Sequence, residues 1–195
     1  MVAISSVTFF TERAIIIKHG LNVKGELIMH VFQPIPVDDL ELNPFESIGK
    51  DWALVSAGTK QKANTMTVSW GGIGVLWGKN VAFLFIRDSR YTKEFLDAGE
   101  FFSVSFMGKE YKEALNYCGS HSGRNSDKVA EAGLTWNYKL SIPFIDEGNF
   151  VLLCHKLAAV RLTEETFLSP EISKWYKNGD LHTMYVGEII DLMAR

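Results

Sequence analysis

The chain has little cysteine, no excess of positive charge and no long apolar run. Its two cysteines, Cys118 and Cys154, form no CxxC motif and no Cys/His spacing that would hold a metal. We therefore expect free thiols in a reducing compartment and no metal site. With 20 basic and 23 acidic residues the net charge is -3, which argues against nucleic acid as a partner. No apolar run approaches the ~18 residues of a membrane span, and the start lacks a signal-peptide pattern. A cytoplasmic protein without a membrane partner is expected.

The motifs of the common catalytic classes are also missing. There is no GxSxG motif, no phosphate-binding P-loop and no recognisable pair of nucleophile and base. The glycine-rich passage 71–78 fails as a dinucleotide fingerprint, because the third required glycine would fall at Trp77. We interpret this passage as a loop or bulge between strands, and we predict no catalytic side chain.

What is present indicates one globular domain with a substantial core. Hydrophobic residues make up 47% of the 195 residues and aromatic residues 12%, a content that suits strands and a ring-lined pocket. Residues 1–28 show little periodicity apart from a β-prone run at 14–17. We interpret them as an N-terminal extension, either native or an artefact of start-site assignment, and we assign the domain to residues 29–195.

The pattern of apolar residues predicts mainly β structure. About six strands are expected, at 52–57, 64–70, 81–86, 101–106, 150–162 and 182–193. Helices are expected at 91–98, 111–118, 126–132 and 170–178, with one helical turn at 45–49. Strict alternation of strand and helix is absent, so an antiparallel barrel with flanking helices fits better than a parallel sheet.

One stretch, residues 64–92, combines the features of a ligand site. In the strand Asn64–Trp70, polar and apolar side chains alternate, which predicts one apolar face and one face of hydrogen-bonding groups. The apolar strand that follows leads to Arg87–Thr92, where cations and hydroxyl groups precede a helix. An apolar wall, a polar strand face and a helix start ready for an anion suit a flat ligand with a phosphate tail, such as flavin mononucleotide (FMN).

The helix start can be interpreted in two ways. Ser89 or Thr92 could cap the helix while Arg87 and Arg90 make forked contacts to a phosphate. Alternatively, the segment is a capped helix with two solvated arginines.

The polar loop 120–128 can also be interpreted in two ways. Arg124 and Lys128 could reach a phosphate or a pyrimidine carbonyl, or the loop could simply precede a helix on the surface.

Four motifs in order resemble one family. They are Asn64-x-Met-Thr-x-x-Trp-Gly-Gly72, Arg87-x-x-x-Tyr-Thr92, Ser122-Gly-Arg-x-x-Asp-Lys128 and His182-Thr-x-x-Val-Gly-Glu188. From about Pro44 to Asp191 the chain resembles the flavin reductase-like FMN-binding split-barrel proteins, and the flavoredoxin branch most. The resemblance implies a six-stranded antiparallel Greek-key split β-barrel with flanking helices, and a homodimer.

The resemblance also implies which residues bind FMN. The strand residues would flank the flavin ring and ribityl chain, the helix start would hold the phosphate region, and the later residues would approach from a loop and the last strand. The implied set is Asn64, Thr65, Met66, Thr67, Trp70, Arg87, Ser89, Arg90, Tyr91, Thr92, Ser122, Lys128 and His182. Arg90 stands where the family often has a small hydroxyl residue, so a more cationic phosphate site is expected.

The implied function is a flavoprotein oxidoreductase. FMN would pass electrons from NAD(P)H or a redox protein to an acceptor, and Lys128 or His182 would be the positive donor beside the reduced flavin. One alternative is a non-catalytic FMN-binding electron carrier or flavin-storage protein. Another is a barrel that holds a different ligand such as haem, which the phosphate-suited residues Thr67, Arg87 and Thr92 disfavour.

Overall fold

The computed structural model describes residues 30–195, so the β-prone run predicted at 14–17 lies outside the described residues. The strands are β1 Gln33–Ile35, β2 Ala53–Gly58, β3 Ala63–Val68, β4 Gly71–Leu76, β5 Lys79–Arg87, β6 Phe101–Met107, β7 Trp136–Lys139, β8 Ile142–Ile145, β9 Gly148–Arg161 and β10 His182–Ala194. The α-helices are α1 Pro44–Ser47, α2 Tyr91–Ala98, α3 Lys112–Ser120 and α4 Lys128–Glu131. Short 3-10 helices span Val37–Asp39, Lys109–Tyr111, Glu164–Thr166 and Pro170–Tyr176.

Eight of the strands form one antiparallel sheet. Its order is β3-β2-β6-β9-β10-β5-β4, β1 pairs with the end of β10, and β7 and β8 form a separate hairpin. The end strands β3 and β4 are not paired with each other, so the barrel is split. The predicted mainly β split-barrel fold with flanking helices is confirmed, although ten strands are described instead of about six.

The glycine-rich passage accounts for part of that difference, because Gly71–Leu76 is a strand and not a loop. Trp77 and Gly78 have φ values of 53° and 70°, which is the left-handed geometry of a two-residue hairpin turn. Gly72 lies opposite Phe83, whose ring would be 2.6 Å from an added Cβ. The glycines therefore allow a hairpin and close ring packing across it.

The core places strand β3 between two helices. On one face of the sheet, Val55, Met66 and Val104 pack with Leu96 of α2. On the other face, Leu54 packs with Leu115 and Cys118 of α3. The beginning of α2 and the end of α3 consequently meet near the beginning of β3.

The structure also tests the predictions for the segment 170–178 and for the two cysteines. The surface helix predicted at 170–178 is a 3-10 helix, Pro170–Tyr176. Both cysteines are free and buried, and burial raises the pKa of Cys118 to about 11, so its thiol is unreactive at neutral pH. None of the helices within residues 30–195 has the length and apolar character needed to cross a bilayer.

Candidate functional site

A cleft of about 110 Å³ opens where β3, α2 and the loop after α3 meet. We call it the α2 cleft. Its lining residues are Asn64, Met66, Ser89, Arg90, Tyr91, Thr92, Ser120, His121, Ser122 and Lys128. Sequence analysis named all of these as cofactor contacts except Ser120 and His121. Ser120 and His121 directly precede Ser122 in the polar segment 120–128, and that continuity was the available signal.

A buried hydrogen bond fixes α2 to β3. The amide of Asn64 donates to Thr92 Oγ1 at 2.8 Å, and both side chains are buried. The residue before the helix is Arg90, and no side chain caps the first turn there. The expected cap by Ser89 or Thr92 is therefore wrong. An uncapped helix start presents backbone N–H groups and a partial positive charge to the cleft.

Two cations are held beside this helix start by the end of α3. Lys128 is only 4% exposed, and its Nζ donates to the carbonyl oxygens of Cys118 at 3.0 Å and His121 at 3.1 Å. Arg90 donates to the carbonyl oxygen of Gly119 at 2.8 Å. Helix C-termini attract cations, which explains the placement. Burial lowers the pKa of Lys128.

No carboxylate neutralises these two cations in the described part of the chain. The ion pairs found there involve other residues, and none of the residues that line the α2 cleft is acidic. The proximity of Arg90 itself disfavours the charge on Lys128. The α2 cleft is consequently an electropositive recess whose charge is not balanced within it.

The loop that closes the cleft depends on a glycine. A Cβ added to Gly123 would lie 2.1 Å from Asn64 Oδ1, so a larger residue would force either the loop or the Asn64 side chain to move. The guanidinium of Arg124 lies 4.5 Å from the centre of the Tyr91 ring and pairs with Glu94 at 2.5 Å. Arg124 therefore holds the loop against α2 and does not line the cleft.

Thr65 and Thr67 do not join this group, although both were predicted to. Thr65 Oγ1 donates to the carbonyl oxygen of Val55 and accepts from Ser56, both at 2.9 Å. Thr67 Oγ1 donates to the carbonyl oxygen of Leu115 in α3 at 2.5 Å. The polar face of β3 packs inside the protein, where its threonine hydroxyls form hydrogen bonds to backbone carbonyl oxygens. The α2 cleft is instead lined by the opposite face of β3, which carries Asn64 and Met66.

Trp70 and His182 belong to a second group, which we call the aromatic cluster. The rings of Trp70 and His182 are 4.7 Å apart, and Trp175 meets Trp70 edge-on at 5.3 Å. The hydroxyl of Tyr176 lies 2.9 Å from His182 Nδ1. With neighbouring apolar side chains, Trp70, Trp175 and Tyr176 line a second cleft of about 280 Å³. Trp175 and Tyr176 were missed, although two adjacent rings in a polar segment could have indicated them.

The electrostatics of the aromatic cluster differ from the expectation. Burial, followed by the charge of Arg87, lowers the pKa of His182 to about 4. With this pKa the imidazole of His182 is uncharged at pH 7, which favours Lys128 of the two residues predicted as the positive donor.

Arg87 and Ser89 both contact Asp180. Arg87 Nη1 donates to the Asp180 carbonyl oxygen at 2.8 Å, and Arg87 lies outside the α2 cleft. The Ser89 hydroxyl donates to the Asp180 carboxylate at 2.7 Å. Asp180 consequently links the segment before β10 to the residues before α2.

The sequence matches a known protein family, and the fold is similar to several solved structures. The family model described as "Flavin reductase like domain" matches residues 45–195. The fold resembles an FMN-binding domain of a flavin reductases-like enzyme from Shewanella baltica OS155, with TM-score 0.62 and 15% identity over 86% of this chain and 78% of that one. Flavoredoxin from Methanosarcina acetivorans gives TM-score 0.59 and 23% identity over 80% and 75%. Flavoredoxin of Desulfovibrio vulgaris (Miyazaki F) gives 0.58 and 21% over 74% and 69%. No curated protein sequence matches this chain significantly.

Proposed function

Because the chain belongs to the family of the flavin reductase like domain, we propose that it is a flavoprotein oxidoreductase that binds FMN. The phosphate of FMN would lie in the α2 cleft. The fold supports the proposal, since it is shared with proteins described as FMN-binding and as flavoredoxin. The donor set also fits, because hydroxyls, two cations and a helix start surround the cleft.

The observation that carries the proposal is the burial of the Lys128 ammonium group without an anionic partner among residues 30–195. Within residues 30–195 the nearly fully buried ammonium group of Lys128 contacts only carbonyl oxygens, so it loses several kcal/mol of hydration without a compensating anion. A phosphate dianion beside Lys128 and Arg90 would supply that compensation and would accept their remaining N–H groups.

The size of the cleft limits which part of FMN it can enclose. Its 110 Å³ is well below the roughly 300–1,000 Å³ of complete small-molecule sites. The α2 cleft therefore suits the phosphate end, and the ring would lie outside it. We propose that a second copy of the chain covers the ring in a homodimer, which sedimentation of the flavin-loaded protein would test.

In this proposal the described residues would bind and orient the cofactor, and none of them is assigned a covalent step. Bound FMN would supply the two-electron chemistry, with NAD(P)H as the proposed donor. Lys128 would favour an anionic ligand through its charge. His182, neutral and held by Tyr176, would act as a hydrogen-bonding group and not as a cation.

An electron carrier is the second candidate, and one observation favours it. Trp175 is 53% exposed and lies on Trp70, which gives the aromatic cluster an apolar outer surface of the kind that redox proteins can dock on. Slow oxidation of NAD(P)H beside rapid exchange with a redox protein would favour a carrier over a reductase.

The experiment is an absorption spectrum of the purified protein with added FMN. We expect bound oxidised flavin, and bleaching of its bands when NADH or NADPH is added without oxygen. A protein that binds no FMN would overturn the proposal. If FMN binds but neither NADH nor NADPH bleaches it, FMN binding would be supported and the proposed NAD(P)H-dependent reductase activity would be overturned.

A further inference from the structure

The imidazole of His121 lies in the α2 cleft at the point where α3 ends. Its backbone is fixed on both sides, because the N–H donates to the carbonyl oxygen of Tyr117 at 3.0 Å and the carbonyl oxygen accepts from Lys128 Nζ at 3.1 Å. The imidazole stacks on the Tyr117 ring, with 3.9 Å between the ring centres and 13° between the planes. The His121 side chain is therefore positioned in the cleft by contacts that need no ligand.

The hydrogen bonds of His121 assign the position of its ring proton. Nδ1 lies 3.0 Å from Ser120 Oγ and 3.2 Å from the carbonyl oxygen of Tyr117. A carbonyl oxygen can only accept, and the Ser120 hydroxyl directs its single proton to the carbonyl oxygen of Asn116 at 2.8 Å. Both neighbours of Nδ1 are acceptors, so Nδ1 carries the proton. Nε2, the other ring nitrogen, forms no hydrogen bond within residues 30–195 and is available to a ligand.

A phosphate beside Nε2 creates a shortage of one proton. With the proton on Nδ1, the Nε2 of a neutral ring can only accept a hydrogen bond, and a phosphate dianion can also only accept. A contact between them needs one additional proton, carried either by Nε2 or by a phosphate oxygen. Imidazoles and phosphate monoesters as classes both gain such a proton close to neutral pH.

The charged groups around His121 in the described chain determine when that proton is stabilised. Lys128 of α4 and Arg90 before α2 bring positive charge, which disfavours an imidazolium without an anion. Glu131 of α4 lies behind the stacked ring and accepts from the Tyr117 hydroxyl at 2.7 Å. This hydrogen bond is the largest of the effects that lower the pKa of Glu131, so its carboxylate stays ionised at neutral pH. A phosphate dianion in the cleft would add the negative charge that favours the extra proton.

We propose that His121 Nε2 binds the phosphate of FMN through one shared proton, so that binding takes up a proton and weakens as the pH rises. This inference rests on the proposed function, because the ligand is the FMN phosphate in the α2 cleft. Two permanent cations alone would give the opposite trend near pH 6, since free FMN there loses its last acid proton and the dianion is attracted more strongly. Any uptake at Lys128, whose pKa burial lowers, would remain in a His121 variant.

The test measures the proton balance of binding. The full chain is titrated with FMN and with riboflavin at pH 6 and pH 8, and calorimetry in two buffers of different ionisation enthalpy counts the protons taken up at pH 7. We expect FMN to bind about 10-fold more weakly at pH 8 than at pH 6, with uptake of about half a proton or more, and riboflavin to show neither effect.

Two variants assign the effect to His121. His121→Gln keeps a hydrogen-bond donor that does not titrate, so it should bind FMN at pH 8 within about threefold of the unchanged chain and lose most of the pH dependence and proton uptake. His155→Gln is the matched control, because His155 also lies against an aromatic ring, that of Phe101, and does not line the α2 cleft. It should keep the full pH dependence.

The outcomes separate the two claims. FMN affinity that stays level or rises between pH 6 and pH 8, or proton uptake that persists in His121→Gln, would overturn the inference and leave FMN binding in place. Failure to bind FMN at either pH would overturn the proposed function. Inorganic phosphate would then be the probe, followed by NMR at the histidine ring signals. Shifts confined to His121 would support its contact with phosphate, and unmoved signals would overturn it.

Discussion

The α2 cleft and the aromatic cluster gather different kinds of group, positive charge in the first and aromatic rings in the second. The α2 cleft gathers positive charge: an uncapped helix start, Arg90 and the buried Lys128, without a carboxylate among its lining residues. The aromatic cluster gathers rings around His182, which its surroundings keep neutral. The difference supports our proposal that the first site holds the charged end of the ligand, and that the second provides flat apolar contact.

Replacing Lys128 with Met should give the largest effect and sharpen the comparison most. We expect FMN affinity to fall about 100-fold, because a buried charge-assisted contact is lost. Lys156→Met is the matched control, since Lys156 also donates to the last carbonyl oxygens of a helix, those of Leu96 and Asp97 in α2. In the flavin-free chain Lys128→Met should leave the unfolding free energy unchanged or raise it, because a buried charge without a compensating anion is removed. Lys156→Met should lose about 1 kcal/mol of unfolding free energy, but only Lys128→Met should lose FMN binding. Equal loss of binding would mean that Lys128 is merely a helix cap.

The neutrality of His182 predicts a pH dependence of stability. Its pKa is about 4 in the folded chain and about 6.5 in the unfolded chain, so the unfolded chain binds the extra proton between these values. The unfolding free energy should therefore fall as the pH decreases through this window, by about 2 kcal/mol between pH 7 and pH 5. Urea denaturation of the chain, of His182→Gln and of His155→Gln checks this. A pH dependence unchanged in His182→Gln would contradict the assignment.

Substitutions of the two arginines before α2 should differ in their effect on FMN affinity, because only Arg90 lines the α2 cleft. Arg90→Ala should weaken FMN binding about 10-fold through the loss of one charged contact. Arg87→Ala should leave the affinity within about threefold, while protease cleavage within 170–180 becomes faster because the contact to Asp180 is lost. If Arg87→Ala weakened FMN binding more than Arg90→Ala, the division between the two sites would be wrong.

Gly123→Ala should produce the smallest change in the α2 cleft. The new methyl group meets Asn64 Oδ1, so the loop or the Asn64 side chain must shift, and we expect about fivefold weaker FMN binding in a flavin titration. Gly74→Ala is the control, because nothing lies within 4 Å of its added Cβ. An unchanged affinity in Gly123→Ala would show that loop closure is not needed for binding.

The local pattern of apolar and polar residues predicted where helices and strands lie, but it predicted less well which residues they contact. Helix α2 has the predicted bounds, since its apolar register ends at Gly99, and alternation identified β3. Alternation does not show what covers each face, so Thr65 and Thr67 were assigned to the ligand although α3 and β2 use their hydroxyls. The adjacent rings of Trp175 and Tyr176 could have indicated a site segment, but their contacts with Trp70 and His182 arise from tertiary packing that the sequence pattern does not show.

The central claim, that the α2 cleft binds the phosphate of FMN, is tested most directly by comparing FMN with riboflavin, which lacks only the phosphate. Equilibrium titration of the full chain should give an affinity for FMN about 100-fold or more above that for riboflavin, with the difference much reduced in Lys128→Met and retained in Lys156→Met. Equal affinities for the two flavins would contradict the account.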